Sequence, residues 1–379
     1  MAVSVDAAPR GIDLGDPAFW RLPEEARAVA FARLRERPGP VGFTDRATGR
    51  RCWALVRHAD VAAAGRAPEV YRSGPSRWTE RLLFGDSLLD LDGPRHAELR
   101  RTVGRAFPPR PAADAERELR ALAAELADRA ERERPADLVA AVAAEFPHRA
   151  LCALLGLPPE RLHRTAAPAG GDGPRARLAL RLAVSATVRE RRRRPADDLL
   201  SALAAPAPDG PGPGPRELAA LCSLLLTHGA RTTRDTLTRG LQLLAANPDQ
   251  RALLLADPDT HLDGAVEEIA RCAAPSARSR RTVAVDHRLS GIRLAAGDQV
   301  LLCHGSANRD AAVFAAPDTF DITRSPNPHL GFGGAGPHFC LGAQLARRHL
   351  RILLPELLAR LPETRPTTAP SGAGLGFTS

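Results

Sequence analysis

Residues 331–350 read GFGGAGPHFCLGAQLARRHL, and this stretch decides the fold. A lone cysteine, Cys340, stands between a glycine-rich segment and a run of good helix formers. A helix N-terminus carries partial positive charge and exposed N–H groups, which favour the thiolate of such a cysteine over the thiol. With no second cysteine nearby, Cys340 does not build a tetrahedral zinc site or an iron–sulfur cluster. It can be the single axial ligand of a haem iron.

The segment resembles the haem-binding loop of the cytochrome P-450 superfamily, whose bacterial form is roughly F-G-x-G-x-H-x-C-L-G. Counted from Cys340, His338 and Gly342 fall in their expected places. Phe332 lies one residue further out than the pattern requires, so the loop is one residue longer, with the extra residue among 333–335. The resemblance implies that Cys340 binds the iron and that Phe332 and Gly342 contact the haem. The alternative is a buried structural cysteine in a glycine-rich turn.

Two further motifs extend the resemblance across the C-terminal third of the chain. Glu268 and Arg271 form E-x-x-R and share one helix face, where they can make a buried ion pair. Residues 307–324 resemble the bacterial stretch ANRDPxxFxxPxxFDxxR, with Ala311 in place of its first proline. In the family, the E-x-x-R pair braces the core that carries the haem loop, so its implied role is structural.

The two haem propionates need cationic or hydrogen-bonding partners. The resemblance nominates four residues for this role: His96, Arg100, Arg281 and His338. His96 and Arg100 are four apart and therefore lie on one helix face. Arg278 and Arg280 stand beside Arg281 and compete with it for the role.

The segment 228–233, HGARTT, departs from the family's A-G-x-[ED]-T-[TS] pattern, in which the acid and threonine shape the dioxygen pocket and relay protons. Thr232 supplies the alcohol and Gly229 the small residue. Arg231 replaces the acid, and arginine does not relay protons at ordinary pH. His228 replaces a small residue that lets the helix pass close to the haem. Asp235, four residues after Arg231, can pair with it.

These departures leave three possibilities for proton supply. In the first, His228 lies near the distal haem face and donates protons or contacts substrate. In the second, the chemistry needs less proton delivery than hydroxylation does, as in phenolic or indolic oxidative coupling. In the third, Arg231 points to solvent or to Asp235, and water relays the protons.

Hydrophobic periodicity predicts a mainly α protein with small β-sheets. Helices are predicted over 23–36, 113–133, 217–246 and 262–273, strands over 52–56, 281–285 and 300–303, and a last long helix from about 340. The resemblance implies the cytochrome P-450 fold: one triangular-prism-like domain over 1–379, with a long central helix over the haem. Residues 1–20 are predicted to form an irregular arm, and 331–350 the haem-ligand loop and helix.

A lid region at 159–195 is shorter than the family's usual two helices and loop. Residues 166–173 are rich in proline and glycine, which predicts mobility. A shortened lid predicts an open distal pocket suited to a bulky or carrier-tethered substrate.

Composition narrows the cellular setting and the partners. The net charge is +9, there is no lysine, and aromatic residues make up 4%, which argues against nucleic-acid binding. An arginine-rich face suits an acidic, ferredoxin-type electron donor. Four arginines are candidates for that face: Arg101, Arg105, Arg347 and Arg348. Six cysteines without a C-x-x-C pair indicate a reducing cytoplasm, and the lack of a long apolar run predicts no membrane contact. The protein is expected to be a monomer.

The sequence thus predicts a haem b monooxygenase that hydroxylates, epoxidises or oxidatively couples an organic small molecule, in a secondary-metabolism setting. The alternative is a haem-binding or partner-recruiting module of the same fold with impaired oxygenase activity. Arg231 favours that alternative, whereas Cys340 and Thr232 oppose it. The absence of clustered cysteines disfavours a zinc or thiol-redox protein.

Overall fold

The computed structural model describes residues 11–74, 88–107, 113–133, 139–157, 174–205, 212–334, 336–360, 364–369 and 372–377. The chain forms two compact units. The first comprises Met1–Ser76 and Ala270–Cys340, and the second comprises Arg77–Ile269 and Leu341–Ser379. Helices dominate and the strands form small sheets, so the predicted fold class is confirmed. The single-domain organisation stays a prediction.

The helices of the described residues follow the predicted order. They are α1 Glu24–Arg35, α2 His58–Arg66, α3 Gly93–Ala106, α4 Ala113–Glu133, α5 Glu145–Leu155, α6 Pro174–Arg193, α7 Leu199–Ala204, α8 Pro215–Leu224, α9 Ala230–Ala246, α10 Pro248–Ala256, α11 Pro258–Ala273, α12 His304–Ala307 and α13 Ala343–Arg360. Two π-helical turns, Val139–Ala143 and Leu225–Gly229, precede α5 and α9.

The strands are β1 Val41–Asp45, β2 Arg50–Leu55, β3 Tyr71–Arg72, β4 Ser279–Val283, β5 His287–Leu289, β6 Ile292–Leu294, β7 Gln299–Leu302, β8 Thr364–Ala369 and β9 Gly372–Phe377. The first unit contains a five-stranded sheet in the order β1-β2-β7-β4-β3. Its β2–β7 pair is parallel and its other pairs are antiparallel. The pairs β5–β6 and β8–β9 form separate hairpins.

This sheet is covered by apolar side chains on both faces. Val300 and Leu302 of β7 join Trp53 in one buried cluster, which we call the inner cluster. Leu301 and Cys303 join a second cluster on the opposite face. Successive strand residues point to opposite faces, so burial on both sides explains why residues 300–303 form a continuous apolar run.

The long apolar helix predicted at 217–246 is confirmed in the second unit. The helix α8, the π turn Leu225–Gly229 and α9 follow one another without a break from Pro215 to Ala246, about 48 Å at roughly 1.5 Å per residue. Within the turn, the N–H of Ala230 donates to the carbonyl of Leu225, five residues earlier. Further along, a Cβ atom at Gly240 would lie 2.9 Å from Ile269 Cδ1, so glycine permits close packing of α9 on α11.

The predicted irregular arm and the predicted lid region differ in how far the structure describes them. Residues 11–22 are irregular apart from a 3₁₀ turn at Phe19–Arg21. They are packed nevertheless, since Leu14 and Phe19 are buried. In the lid region, α6 covers Pro174–Arg193, whereas the proline- and glycine-rich residues 166–173 lie outside the described residues. The open distal pocket therefore stays a prediction.

Candidate active site

The loop that carries Cys340 is fixed at both ends within the first unit. At its start, the N–H of Leu330 donates to Asn308 Oδ1 over 2.6 Å, and Leu330 belongs to the inner cluster. At its end, the N–H of Cys340 donates to the carbonyl of Phe332 over 2.9 Å. This hydrogen bond closes the loop eight residues back and sets the backbone of Cys340.

Glycine is required in this loop at Gly336. Its φ is +136°, and a Cβ atom there would lie 1.9 Å from the carbonyl oxygen of Gly65. Gly333 and Gly334 also have positive φ values of +93° and +73°, which L-residues with side chains rarely adopt. The extra loop residue predicted among 333–335 coincides with this left-handed stretch, and Ala335 itself lies outside the described residues.

Cys340 differs from the other cysteines in its exposure. Its side chain is exposed, whereas Cys272 is half-buried and the other four cysteines are buried. Burial raises the pKa of Cys152, Cys222 and Cys303 to about 12, which makes their thiols inert. A buried structural cysteine therefore does not describe Cys340, which ends its loop three residues before α13 begins.

Around the loop, His338 is half-buried and its Nε2 lies 3.2 Å from Ser73 Oγ. The Phe332 ring is tilted against two neighbouring rings, with centroids 5.8 Å from His329 and 6.4 Å from Phe339. A Cβ atom at Gly342 would meet no described atom within 4 Å. The backbone at Gly342 is thus open to the close approach of a flat ligand.

The three arginines near β4 differ in their contacts. The guanidinium of Arg278 stacks on the ring of Trp20 at 3.8 Å. Arg280 pairs with Asp45, with Nη1 3.1 Å from Oδ2. Arg281 pairs in register with Val300 and so lies on the inner-cluster face, opposite to that of Arg280. Arg281 Nη1 also donates to the carbonyl of Arg280 over 2.7 Å, and a role of Arg281 toward the haem stays a prediction.

In the second unit, α3 carries the other two nominated residues one turn apart. His96 is buried and Arg100 is half-buried. The first turn of α3 is tied to α8 by Arg95, whose Nε lies 3.0 Å from Glu217 Oε1. This ion pair fixes the helix that presents His96 and Arg100 together.

Thr232 and His228 lie one turn apart at the junction of the π turn and α9. The hydroxyl of Thr232 donates to the carbonyl of His228 over 2.8 Å, with a second acceptor at Gly229 O, 3.3 Å away. Both side chains are half-buried. The alcohol is therefore anchored by its proton and presents its lone pairs as acceptors.

The suggested ion pair between Arg231 and Asp235 is wrong. Asp235 instead accepts from the adjacent Arg234, with Oδ1 2.9 Å from Nε and 2.7 Å from Nη2. Arg231 is exposed, and no described carboxylate pairs with it. Arg234 donates to Asp235 through two guanidinium nitrogens. An ion pair with Arg231, one helical turn away, would have to offer hydrogen bonds of similar strength to replace it.

Glu268 and Arg271 are almost completely buried in α11, at 0% and 1% exposure. Arg271 donates to three backbone carbonyls, those of Asn308, Pro317 and Thr319, over 2.7–3.0 Å. Its guanidinium also lies 5.3 Å from the centroid of the Phe314 ring. Arg271 thus holds the segment 307–324 in place.

Comparison with known proteins gives the family. A family model described as cytochrome P450 matches residues 180–364. A methyl-branched lipid omega-hydroxylase of Mycobacterium tuberculosis is 38% identical over 95% of this chain and 91% of its own length. The chain belongs to the cytochrome P450 family.

Solved P450 structures match the fold along nearly the whole chain. Mycobacterium marinum cytochrome P450 CYP268A2, in complex with pseudoionone, has a TM-score of 0.85 and 35% identity over 98% of both chains. P450BioI in complex with acyl carrier protein bearing hexadec-9Z-enoic acid has a TM-score of 0.79 and 26% identity, over 93% of this chain and 97% of that one. The protein is accordingly a P450 monooxygenase whose cofactor is haem.

The side chains of this P450 fit a haem. Cys340 offers one exposed thiol, Gly342 leaves open space beside it, and Arg281 and His338 belong to the same unit. Among the described residues, no group of three or more His, Cys, Asp and Glu side chains is placed to hold a metal ion. A zinc site therefore lacks its ligand set in the part of the chain that the structure describes.

Two of the four arginines proposed for partner docking are engaged within the fold. Arg347 pairs with Glu267, with Nε 2.6 Å from Oε1, and Arg348 Nε lies 3.2 Å from Glu116 Oε2. Arg101 is exposed on α3. No described helix of this P450 has the length and hydropathy needed to cross a membrane.

Sequence reasoning passed over two buried histidines, His304 and His349, which are 3% and 2% exposed. His349 packs edge-on against Phe146, with centroids 5.3 Å apart. The sequence did contain an indication for His304. It lies two residues after Leu302, so the alternation of strand side chains places it on the same face as Val300 and Leu302.

Proposed function

We propose that this P450 hydroxylates an apolar, lipid-like small molecule, with Cys340 as the residue whose thiolate would hold the haem iron. In the overall reaction, one oxygen atom enters a C–H bond of the substrate. The other leaves as water, made with two electrons and two protons. Bound haem supplies the oxygen-activating redox chemistry. The observation that carries the proposal is the exposed thiol of Cys340, held by its own backbone hydrogen bond.

Four cationic or polar side chains hold the haem propionates in this proposal: His96, Arg100, Arg281 and His338. Their charge-assisted hydrogen bonds neutralise two carboxylates that would otherwise be costly to bury. Phe332 and Gly342 would border the cofactor beside Cys340, and Gly229 would keep the π turn before α9 narrow.

On the distal side, Thr232 presents hydroxyl lone pairs that accept hydrogen bonds from water, because its proton is held by the His228 carbonyl. We propose that the imidazole of His228 donates protons or contacts substrate. Arg231 carries a fixed charge and cannot exchange protons near neutral pH, so proton supply falls to His228 or to water. An unchanged haem spectrum and turnover rate in His228→Ala would contradict a direct role for His228.

The substrate class rests on the relatives. One acts on methyl-branched lipids by its name, and another was solved with a fatty acyl chain on a carrier protein. A long apolar chain, free or carrier-tethered, is therefore the first class to test. Tailoring of a secondary metabolite, including oxidative coupling, stays a prediction.

Electrons come from a ferredoxin-type donor in this proposal. The exposed Arg101 and Arg105 contribute positive charge for docking, and a monomer suffices for the reaction. Electron transfer insensitive to salt and to charge reversal at these arginines would count against this docking surface.

The deciding experiment is a carbon monoxide difference spectrum of the reduced protein. Wild type should give the red-shifted band of a haem-thiolate, and Cys340→Ser should lose it. Cys272→Ser is the matched control, because Cys272 is half-buried elsewhere in the first unit. A band that survives in Cys340→Ser would refute the assignment of the ligand.

Substrate binding is tested by spectral titration with three probes of similar size. A methyl-branched fatty acid and its straight-chain isomer represent lipids, and a phenolic compound represents the coupling alternative. Binding and hydroxylation of the fatty acids, with weak binding of the phenol, is the expected result. Dimerisation of the phenol without lipid hydroxylation would favour coupling.

A second candidate is a haem-binding or partner-recruiting module with impaired oxygenase activity. It is favoured by Arg231, which leaves the usual acid position without a carboxylate. Oxygen uptake measured with substrate and an electron donor separates the two functions. Oxygen uptake that yields peroxide and no oxidised product would support the module, provided that Arg231→Asp does not restore product formation.

A further inference from the structure

The helix α6 has one buried face within the second unit. Val184 and Val188 on this face are completely buried. They belong to an apolar cluster that also contains Leu221 of α8 and Leu225 of the π turn. The helix α6 is therefore packed on the continuous helical segment that carries Thr232 further along.

The opposite face of α6 is exposed to solvent. Four of its described residues are exposed and lie three or four positions apart, and we call them the α6 stripe: Leu182, Ala186, Arg189 and Arg193. At about 100° per residue they fall within about 60° of one another, on the side away from the two buried valines. The stripe runs for about 17 Å at roughly 1.5 Å per residue, which is the length of three turns of a partner helix.

The α6 stripe has an apolar end and a cationic end. Leu182 is 61% exposed, which makes it the most exposed large apolar residue that the structure describes. Arg189 and Arg193 are exposed, and neither pairs with a described carboxylate. The helix dipole favours a cation in the last turn, which accounts for Arg193. It accounts neither for Arg189 nor for an apolar side chain in water.

The arginines between and beside these two are used inside the fold. Arg191 donates to Asp198 Oδ2 over 2.5 Å and to the carbonyl of Gly156 over 2.9 Å. Arg192 Nη2 donates to the carbonyl of Pro213 over 2.8 Å. These bonds fix the end of α6 and bring it beside the start of α8. The outward-facing arginines have no such structural task.

The start of α8 adds another cation to this surface. Arg216 is exposed in the first turn of α8 and pairs with no described carboxylate. A positive charge at that end of a helix is unfavourable, so Arg216 does not stabilise α8. Glu190 and Asp197 are the exposed acids in the adjoining stretch of α6 and its following loop. Arg191 already lies 4.0 Å from Glu190, so positive charge prevails at the surface.

We propose that the α6 stripe and Arg216 form a docking surface for an acidic acyl carrier protein. The inference rests on the proposed function in taking a carrier-tethered acyl chain as the substrate. The arginines attract carboxylates of the carrier and steer its approach, and Leu182 adds an apolar contact. Docking on α6 brings the tethered chain to the unit that holds the distal alcohol.

The test compares three forms of one substrate: free palmitate, S-palmitoyl pantetheine, and palmitate on an acidic bacterial acyl carrier protein. Hydroxylation by the haem-loaded full chain is measured with one electron donor at saturating concentration. The double variant Arg189→Glu/Arg193→Glu should raise the KM for the carrier-bound form by about tenfold or more, because two attractions become repulsions. Its kcat/KM for the two small substrates should change by less than about twofold, since they make no use of this surface.

Three further proteins serve as controls. Arg132→Glu is the matched variant, because Arg132 is also exposed in the last turn of a helix of the second unit, α4. It should leave all three substrates unchanged. Leu182→Ser should weaken turnover of the carrier-bound form by about threefold, as expected for the loss of a partly buried apolar contact. A carrier whose surface acids are replaced by lysine should restore turnover in the double variant.

Three results would overturn the inference: unchanged turnover of the carrier-bound form in the double variant, an equal loss for all three substrates, or the same effect in Arg132→Glu. The second result would place the electron donor on α6 instead. Calorimetric binding of the unacylated carrier tests the surface without turnover, and wild type should bind it whereas the double variant should not. Absence of lipid hydroxylation with this binding intact would contradict the proposed function alone.

Discussion

At the residue scale, one hydroxyl proton decides what Thr232 can do. The proton is engaged with the carbonyl of His228 one turn earlier, so the side chain acts as an acceptor toward the site. Thr236 repeats the arrangement one turn later and donates to the carbonyl of Thr232 over 2.8 Å. It is buried. The two threonines therefore make the same hydrogen bond, and Thr236 is a matched control for the proposed role of Thr232.

Thr232→Val should divert oxygen from product to peroxide, with product per oxygen consumed falling about 100-fold, the lower end of the range for a positioned proton-transfer group. The measurement is the ratio of product to oxygen uptake, with peroxide assayed in parallel. Thr236→Val should leave this ratio unchanged. Equal uncoupling in both variants would show that the hydroxyls act through helix stability alone.

A second prediction at the residue scale concerns the buried His349. Neither ring nitrogen of His349 hydrogen-bonds to any described residue, and its ring packs on Phe146. His349→Leu should therefore match or exceed wild-type stability at neutral pH, by up to about 1–2 kcal/mol, because the desolvation cost of the imidazole disappears. Denaturant unfolding measures this. A loss above about 2 kcal/mol would reveal a partner, such as a buried water.

At the element scale, the cysteine loop separates two kinds of glycine. A Cβ atom at Gly336 would collide with Gly65 O at 1.9 Å, whereas one at Gly342 would meet no described atom within 4 Å. Gly336 also has a φ of +136°. The first glycine is needed for the loop to form, and the second leaves room beside it.

Gly336→Ala should destabilise the protein by roughly 2 kcal/mol or more and reduce its haem content, because both backbone strain and a clash oppose it. Gly342→Ala should keep the unfolding temperature of the haem-free chain. Its added methyl group should still weaken haem retention if the cofactor passes close to that backbone. Thermal unfolding and haem-to-protein ratios distinguish these effects.

The helices were largely predictable from the sequence, and their contacts were not. The helix predicted at 23–36 spans Glu24–Arg35, and the one at 113–133 spans Ala113–Glu133, because a period near 3.6 is a local property. The strands predicted at 281–285 and 300–303 shifted to Ser279–Val283 and Gln299–Leu302, since pairing sets where strands end.

The candidate site was predictable residue by residue only where a motif fixed the spacing. Arg271 was found in this way, and the structure shows its buried contacts. Cys340 was nominated in the same way and stays a prediction as the haem ligand. Asp235 was matched with the wrong arginine, because helical spacing does not rank one arginine against its neighbour. The contact of His304 with Ser279 depends on strand pairing between β4 and β7, which no local pattern specifies.

At the scale of the whole molecule, buried neutral histidines make stability depend on pH. Burial, with a smaller contribution from the charge of Arg348, lowers the pKa of His349 to about 4, from 6.5 when the chain is unfolded. Between these values the unfolded chain binds the proton and the folded one does not. The contribution is therefore fully present above pH 6.5 and is lost as pH falls toward 4.

Wild type should lose up to about 3 kcal/mol of unfolding free energy through His349 alone between pH 6.5 and 4, from the size of the pKa difference. The unfolding free energy of His349→Leu should fall by about 3 kcal/mol less than that of wild type over the same pH range. Unfolding curves in denaturant at pH 7.0, 5.5 and 4.5 measure the slope. Parallel slopes in both proteins would mean that His349 is protonated in the folded state.

The π turn at Leu225–Gly229 sets the phase of the longest helix in the described chain. One residue more than an α-helical turn needs is stored there. Each residue rotates an α-helix by about 100°. Deleting one residue from the turn would swing the side chains on one side of it by about that angle relative to the other. His228 and Thr232 would leave their present direction while every residue of α9 kept its identity. The direction in which this helix presents His228 and Thr232 therefore depends on the number of residues in the π turn as much as on the side chains.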